Sequence, residues 1–142
     1  MIVNYYKLPL QLKRITRKKE HPKINLAESV AAMVHLIAIT YYGECKHDET
    51  FGCEIWEHDF ENIVNTQSYR DELKASIRKT IQQHEPRLTN VNVEVRIEQI
   101  ENKILKRRIK SRIQLQVEGT LVLTNEPFSY TDQFFIGPLS YY

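Results

Sequence analysis

Six carboxylates fall within one stretch of the chain: Glu44, Asp48, Glu49, Glu54, Glu57 and Asp59. Two carboxylates roughly 5–10 Å apart with unequal pKa values can hydrolyse a glycosidic bond. A peptidoglycan hydrolase using this acidic loop, with Glu54 and Asp59 essential, is therefore one reading. The local pattern places none of the six in an apolar pocket, which a protonated general acid needs, and a solvated acidic face accounts for the composition better. The same stretch holds Cys45, His47, Cys53 and His58, four zinc-ligand types by count. Structural zinc sites use pairs of the C-x2–4-C and H-x3–5-H kind, whereas the spacings here are Cys45-x-His47 and Cys53-x4-His58. Core thiols and surface imidazoles fit them better, so no metal and no other cofactor is expected. A nucleophilic cysteine needs an electropositive setting, which an acidic loop does not supply. The four glycines form no phosphate-cradling pattern.

The cations are clustered as well. Lys13, Arg14, Arg17, Lys18, Lys19 and Lys23 form one group, and Lys103, Lys106, Arg107, Arg108, Lys110 and Arg112 another. The second could grip phosphates, giving a nucleic-acid-binding module as an alternative reading. It lacks the interleaved aromatic residues that stack bases. A net charge of only +2 also argues against non-specific nucleic-acid binding. Patches of both signs suit docking onto other proteins.

The remaining constellation is Glu85-Pro86-Arg87. Pro86 has no backbone N–H and clashes with a preceding helical turn, and it biases Glu85 toward an extended conformation. It stands where helical spacing gives way to the alternation of Val91, Val93, Val95 and Ile97. Two readings are open. One is a helix stop with solvated flanks. The other is a docking corner in which Arg87 offers bidentate donors, Glu85 accepts, and Pro86 fixes their direction at little entropic cost.

The elements that position this corner follow from periodicity. Residues 1–10 read as an extended arm and the basic stretch up to residue 24 as a solvated linker. Asn25 and Glu28 make a capping box for a first helix with Leu26, Val30, Met33, Val34, Ile37 and Tyr41 on one face. Ala31, Ala32, Leu36, Ala38 and Ile39 make its other face apolar too, so either the sheet covers one side and a partner the other, or the helix is simply central, the reading favoured here. Gly43 is expected to stop it. Trp56, Phe60, Ile63 and Val64 mark a short helix. A second long helix runs from about Ser68 to His84 on a stripe of Tyr69, Leu73, Ile77 and Ile81.

Strands follow. Val91 to Ile97 alternates, as do Ile109, Ile113, Leu115, Val117, Leu121 and Leu123. Gly119 marks a bulge or a close approach to a helix. Asn125-Glu126-Pro127 turns the chain into a third strand with Phe128, Tyr130, Phe134 and Ile136 in one register. The expected fold is α+β: an antiparallel sheet of about three or four strands, covered on one face by two longer helices and one short helix. The expected organisation is an arm and linker over 1–24, one domain over 25–137 and a tail over 138–142. No apolar run reaches the ~20 residues that span a bilayer. The N-terminus lacks the pattern of a secretion signal, so a cytoplasmic location with reduced thiols is expected.

These residues resemble a known family. A helix ending in His84-Glu85-Pro86-Arg87-Leu88, followed by Val91-x-Val93-x-Val95, is similar to the baseplate wedge family of contractile injection machines. Its members include a tailed-phage wedge protein once described as lysozyme-like and the TssE subunit of type VI secretion systems. The upstream order also fits: Glu28-Ser29-Val30 in an apolar helix, Gly43-Glu44, Phe51-Gly52, then the element from Trp56 to Phe60. The resemblance covers about residues 25–100. The arm and the Phe134-Phe135-Ile136-Gly137-Pro138 ending look like a TssE variant, while the stretch between Gly43 and Phe51 departs from the family pattern.

The resemblance implies a structural, non-catalytic role with no small-molecule substrate. The corner of Glu85, Pro86 and Arg87 would dock on the helical core bundle built by TssF- and TssG-type wedge subunits, and Arg87→Ala would weaken assembly while leaving the fold intact. A sheet edge would start polymerisation of the contractile sheath subunit by β-strand addition.

Overall fold

The computed structural model describes residues 4–53, 66–102 and 107–136. Strand β1 (Tyr5–Tyr6) pairs antiparallel with β2 (Lys23–Ile24), Tyr5 opposite Ile24, and the short helix α1 (Leu12–Thr16) lies between them in sequence. The long helices are α2 (Leu26–Ile39) and α3 (Thr66–His84). Strands β3 (Leu88–Asn102), β4 (Arg107–Leu121) and β5 (Pro127–Ile136) form an antiparallel sheet in the order β3-β4-β5. This is the expected α+β class, an antiparallel sheet of three strands with two longer helices; the short helix α1 falls in the stretch expected as a linker.

Helix α2 begins where its sequence demands. The Asn25 side chain accepts from the Glu28 N–H at 2.9 Å, and the Glu28 carboxylate accepts from the Asn25 N–H at 3.2 Å. These reciprocal bonds satisfy two orphan donors of the first turn. Tyr69, Leu73, Ile77 and Ile81 line the buried face of α3, which packs on β3. In the sheet, Val93 pairs with Val117, Val95 with Leu115, and Ile113 with both Ile97 and Phe134. Period-2 alternation thus puts one apolar row under the helices. Burying each of these large aliphatic side chains contributes about 1.5–3 kcal/mol before entropy is counted.

Several expectations change. Helix α2 stops at Ile39, ahead of Gly43, because Thr40 is extended and its carbonyl accepts from the Cys53 N–H at 2.9 Å. Tyr41 bridges Cys53 in parallel, and Gly43 (φ +84°) serves the following turn. Nor is α2 central: Val30, Val34, Ile37 and Ala38 are buried, but Leu36 and Ile39 stay exposed. Leu123, expected on the apolar side of a strand, is exposed in the β4–β5 turn. Gly119 faces a neighbouring strand, not a helix. A Cβ there would meet the Thr89 carbonyl at 2.8 Å, where the β3–β4 register shifts around Asn90 (φ 53°). The short helix expected over 56–64 and the tail over 138–142 lie outside the described residues.

Candidate docking corner

Glu85 leaves α3 with its N–H donating to Ile81 O at 2.8 Å, and its own carbonyl accepts from the Leu88 N–H at 3.3 Å. That second bond closes a tight turn with Pro86 at the position proline prefers. The turn folds Arg87 back onto Glu85. Arg87 Nε donates to Glu85 Oε1 at 2.8 Å, Nη2 donates to Oε2 at 2.8 Å, and the Arg87 backbone N–H also reaches Oε1 at 3.1 Å. Glu85 is 1% exposed, whereas the Arg87 side chain keeps 23% and Pro86 is exposed.

Three further elements converge on Arg87. Nη1 donates to Ser29 Oγ in the first turn of α2 at 2.9 Å. The guanidinium carbon sits 4.9 Å from the centre of the Tyr5 ring on β1, a cation–π distance. The Arg87 carbonyl accepts from the Val122 N–H at 2.9 Å, at the β4–β5 turn. Hydrogen bonding to Glu85 holds the guanidinium above its ordinary range, with burial opposing. The expectation that Arg87→Ala would leave the fold intact therefore fails on physical grounds: the pair is satisfied within the chain, and Glu85 would be left buried without its countercharge, keeping only the backbone N–H of residue 87.

The Phe51-Gly52 loop is fastened beside the corner. Phe51 meets His84 edge-on at 5.2 Å. Thr50 Oγ1 lies 3.1 Å from His84 Nε2 and accepts from Gln83 Nε2 at 3.2 Å. Asp48 accepts from Thr50 twice, from the N–H at 2.9 Å and from the hydroxyl at 2.5 Å. Those bonds hold the Asp48 carboxyl below the usual carboxylate range, the reverse of what a general acid needs. Glu54, Glu57, Asp59 and His58 lie outside the described residues. Cys53 is buried with its thiol donating to Ala38 O at 3.3 Å. Among the described residues, no three His, Cys, Asp or Glu side chains converge. Of the basic hairpin, Arg112 pairs with Glu98 across β3 and β4.

Two polar clusters escaped periodicity. Tyr42 OH lies 2.8 Å from Ser76 Oγ and 3.1 Å from Thr80 Oγ1, so two hydroxyls beside the apolar stripe of α3 are buried and partnered. Between α2 and β5, His35 Nδ1 lies 2.5 Å from Asp132 Oδ2, and the Tyr130 hydroxyl donates to the same oxygen. The available signal was Asp132 itself, a carboxylate in the row between Tyr130 and Phe134. Burial pushes Asp132 up, but hydrogen bonds from Tyr130, His35 and the Gln133 N–H outweigh it and hold its carboxyl below the usual carboxylate range. Burial and Asp132 raise the Tyr130 phenol. A carboxyl depressed in the folded state adds stability above its unfolded pKa and loses it as pH falls through the folded value. Asp132→Asn should therefore be less stable than the parent at pH 7, with the difference shrinking below about pH 4. Urea midpoints at both pH values test this; a gap that stays constant down to pH 2 contradicts it.

Comparison with known proteins adds family and fold. A family model described as baseplate wedge protein gp25 matches residues 24–126, well over half the chain and including the whole corner. No curated protein matches. Among solved structures, a Geobacter sulfurreducens protein provisionally described as a tail lysozyme is similar at 20% identity and a TM-score of 0.56, over 82% of this chain and 96% of that one. A chain of the baseplate complex from the type VI secretion system is similar at 15% identity and a TM-score of 0.58, over 78% and 93%. At such identities the likeness to these two is one of fold.

Proposed function

The chain belongs to the baseplate wedge protein gp25 family, and from that premise we propose that it is a TssE-like wedge subunit of a type VI secretion system. In this reading it works in the cytoplasm as a structural part without catalysis. It docks on the core bundle formed by TssF- and TssG-type subunits, and its sheet receives the first strand of the contractile sheath. The observation that carries the docking role is the build of the corner. Glu85 and Arg87 neutralise each other inside the fold, and their bidentate pair braces the turn on which Pro86 stays exposed. Pre-organised turns of this kind lose little entropy on binding.

This changes the division of labour among Glu85, Pro86 and Arg87. Pro86 and the outer edge of Arg87 meet the partner, while Glu85 positions them. For the sheath, β5 is the terminal strand of the sheet and pairs only with β4 among the described residues, an arrangement that supports strand addition.

Pro86→Arg tests the docking role without touching the buried pair. The variant should fold, with a melting temperature close to the parent's, yet fail to co-purify with co-expressed TssF- and TssG-type subunits. Full co-purification would remove the corner from the interface.

A further inference from the structure

The segment ahead of the family match carries a surface of its own. Seven cationic residues lie from Lys7 through Lys23, against a single acid, Glu20. Among them Tyr6, Leu8, Leu10, Leu12 and Ile15 stand 47–66% exposed. A single exposed leucine is ordinary; five large apolar side chains exposed within ten residues are a concentration that calls for a partner.

The segment is held in shape. β1 pairs with β2, Lys7 N–H donates to Pro22 O at 2.9 Å, and Lys19 N–H donates to Arg14 O at 2.9 Å. Buried His21 fastens the middle. Its Nε2 accepts from the Gln11 N–H at 2.9 Å, its Nδ1 lies 2.9 Å from Pro22 O, and its ring meets Tyr6 edge-on at 5.6 Å. With both nitrogens engaged, His21 forms a floor and contributes no charge-seeking atom. Around it Tyr6, Ile15, Lys19, Glu20 and Lys23 bound a cleft of about 350 Å³.

We propose that this cleft docks an acidic peptide segment of a partner protein, with an apolar anchor between Tyr6 and Ile15 and a carboxylate at Lys19 and Lys23. The cleft has room for a few side chains, and a concave site is one that a flat bilayer surface cannot fill. Of the side chains that bound it, Tyr6 alone offers a phenolic face, whereas single-stranded nucleic acid stacks its successive bases on several aromatic rings. Glu20 on the same rim repels a continuous acidic tract, so the segment alternates acid with apolar residue. The surface lies outside residues 24–126 and uses none of Glu85, Pro86 and Arg87.

Fluorescence anisotropy with a labelled peptide of alternating Leu and Glu, added to the full chain at low salt, tests the proposal. Binding should saturate and weaken at least ~10-fold in Lys19→Glu/Lys23→Glu and in Ile15→Ser, a loss of ~1.4 kcal/mol or more. An all-Glu peptide of equal length should bind at least ~10-fold more weakly than the alternating one, a difference of the same size. The altered side chains are exposed, so folding is not at stake. Absence of saturable binding, binding indifferent to these variants, or equal binding of the all-Glu peptide would overturn it. So would association with phosphatidylglycerol vesicles or duplex DNA that the same variants abolish while the peptide stays unbound.

Discussion

Arg87→Ala should destabilise the fold by about 3 kcal/mol, the lower end of what removing one partner of a buried ion pair costs. Glu85 is 1% exposed and takes two side-chain hydrogen bonds and one backbone hydrogen bond from Arg87. Truncating Arg87 leaves a carboxylate with no water to replace two of those donors. The 23% exposure of Arg87 keeps the effect from the top of the range, because solvent already screens one side of the pair. Contacts to Ser29 and Tyr5 disappear as well, loosening α2 and β1. Urea denaturation measures the loss, and a double-mutant cycle with Glu85→Gln isolates the pair. The double variant should be less destabilised than the two single effects summed. A change below ~1 kcal/mol in Arg87→Ala, the range of an exposed pair, would mean that the pair behaves like a surface salt bridge. Because Arg87→Ala damages the fold, failure of that variant to assemble says nothing about docking, and Pro86→Arg carries that question.

Gly52→Ala should have a comparable effect, about 3 kcal/mol or more, since a strained backbone and a steric overlap contribute about 1–3 kcal/mol each. Gly52 sits at φ +127°, and a Cβ there would lie 2.7 Å from the Thr40 carbonyl oxygen and 2.9 Å from the Tyr41 carbonyl carbon. Both obstacles are backbone and cannot swing aside. Relief would require pulling Cys53 off Thr40, whose hydrogen bond is 2.9 Å, and with it Phe51 off His84 beside the corner. Gly43→Ala is the internal control: its φ is +84° but nothing lies within 4 Å of the added carbon. It should cost only the conformational part, about 1 kcal/mol. Thermal unfolding of both variants compares them, and equal losses would refute the steric argument.

The two features belong to one another. The Phe51-Gly52 loop braces the end of α3, and the turn after α3 presents the corner. This relation explains why Phe51-Gly52 and Glu85-Pro86-Arg87, more than thirty residues apart in sequence, are both informative about the same surface.

What could be read from residue order was whatever depends on near neighbours. Asn25 and Glu28 announced the start of α2 because a capping box closes within one turn. Pro86 announced the end of α3 because its ring acts on the preceding backbone. Alternation from Val91 onward announced the sheet and the face it buries. Reading failed where a property depends on which elements meet in space. The surroundings of Arg87 were completed by Ser29 and Tyr5, which lie 58 and 82 positions from it in the chain. Whether α2 had one buried face or two depended on what packed against Leu36 and Ile39, and the described elements leave them open. The end of α2 was set not by Gly43 but by Cys53 claiming the Thr40 carbonyl. Glu85 looks in sequence like any solvated acid at a helix end. The guanidinium two residues on compensates for the water it gives up, but its burial depends on distant elements, those of Ser29 and Tyr5, meeting at this turn.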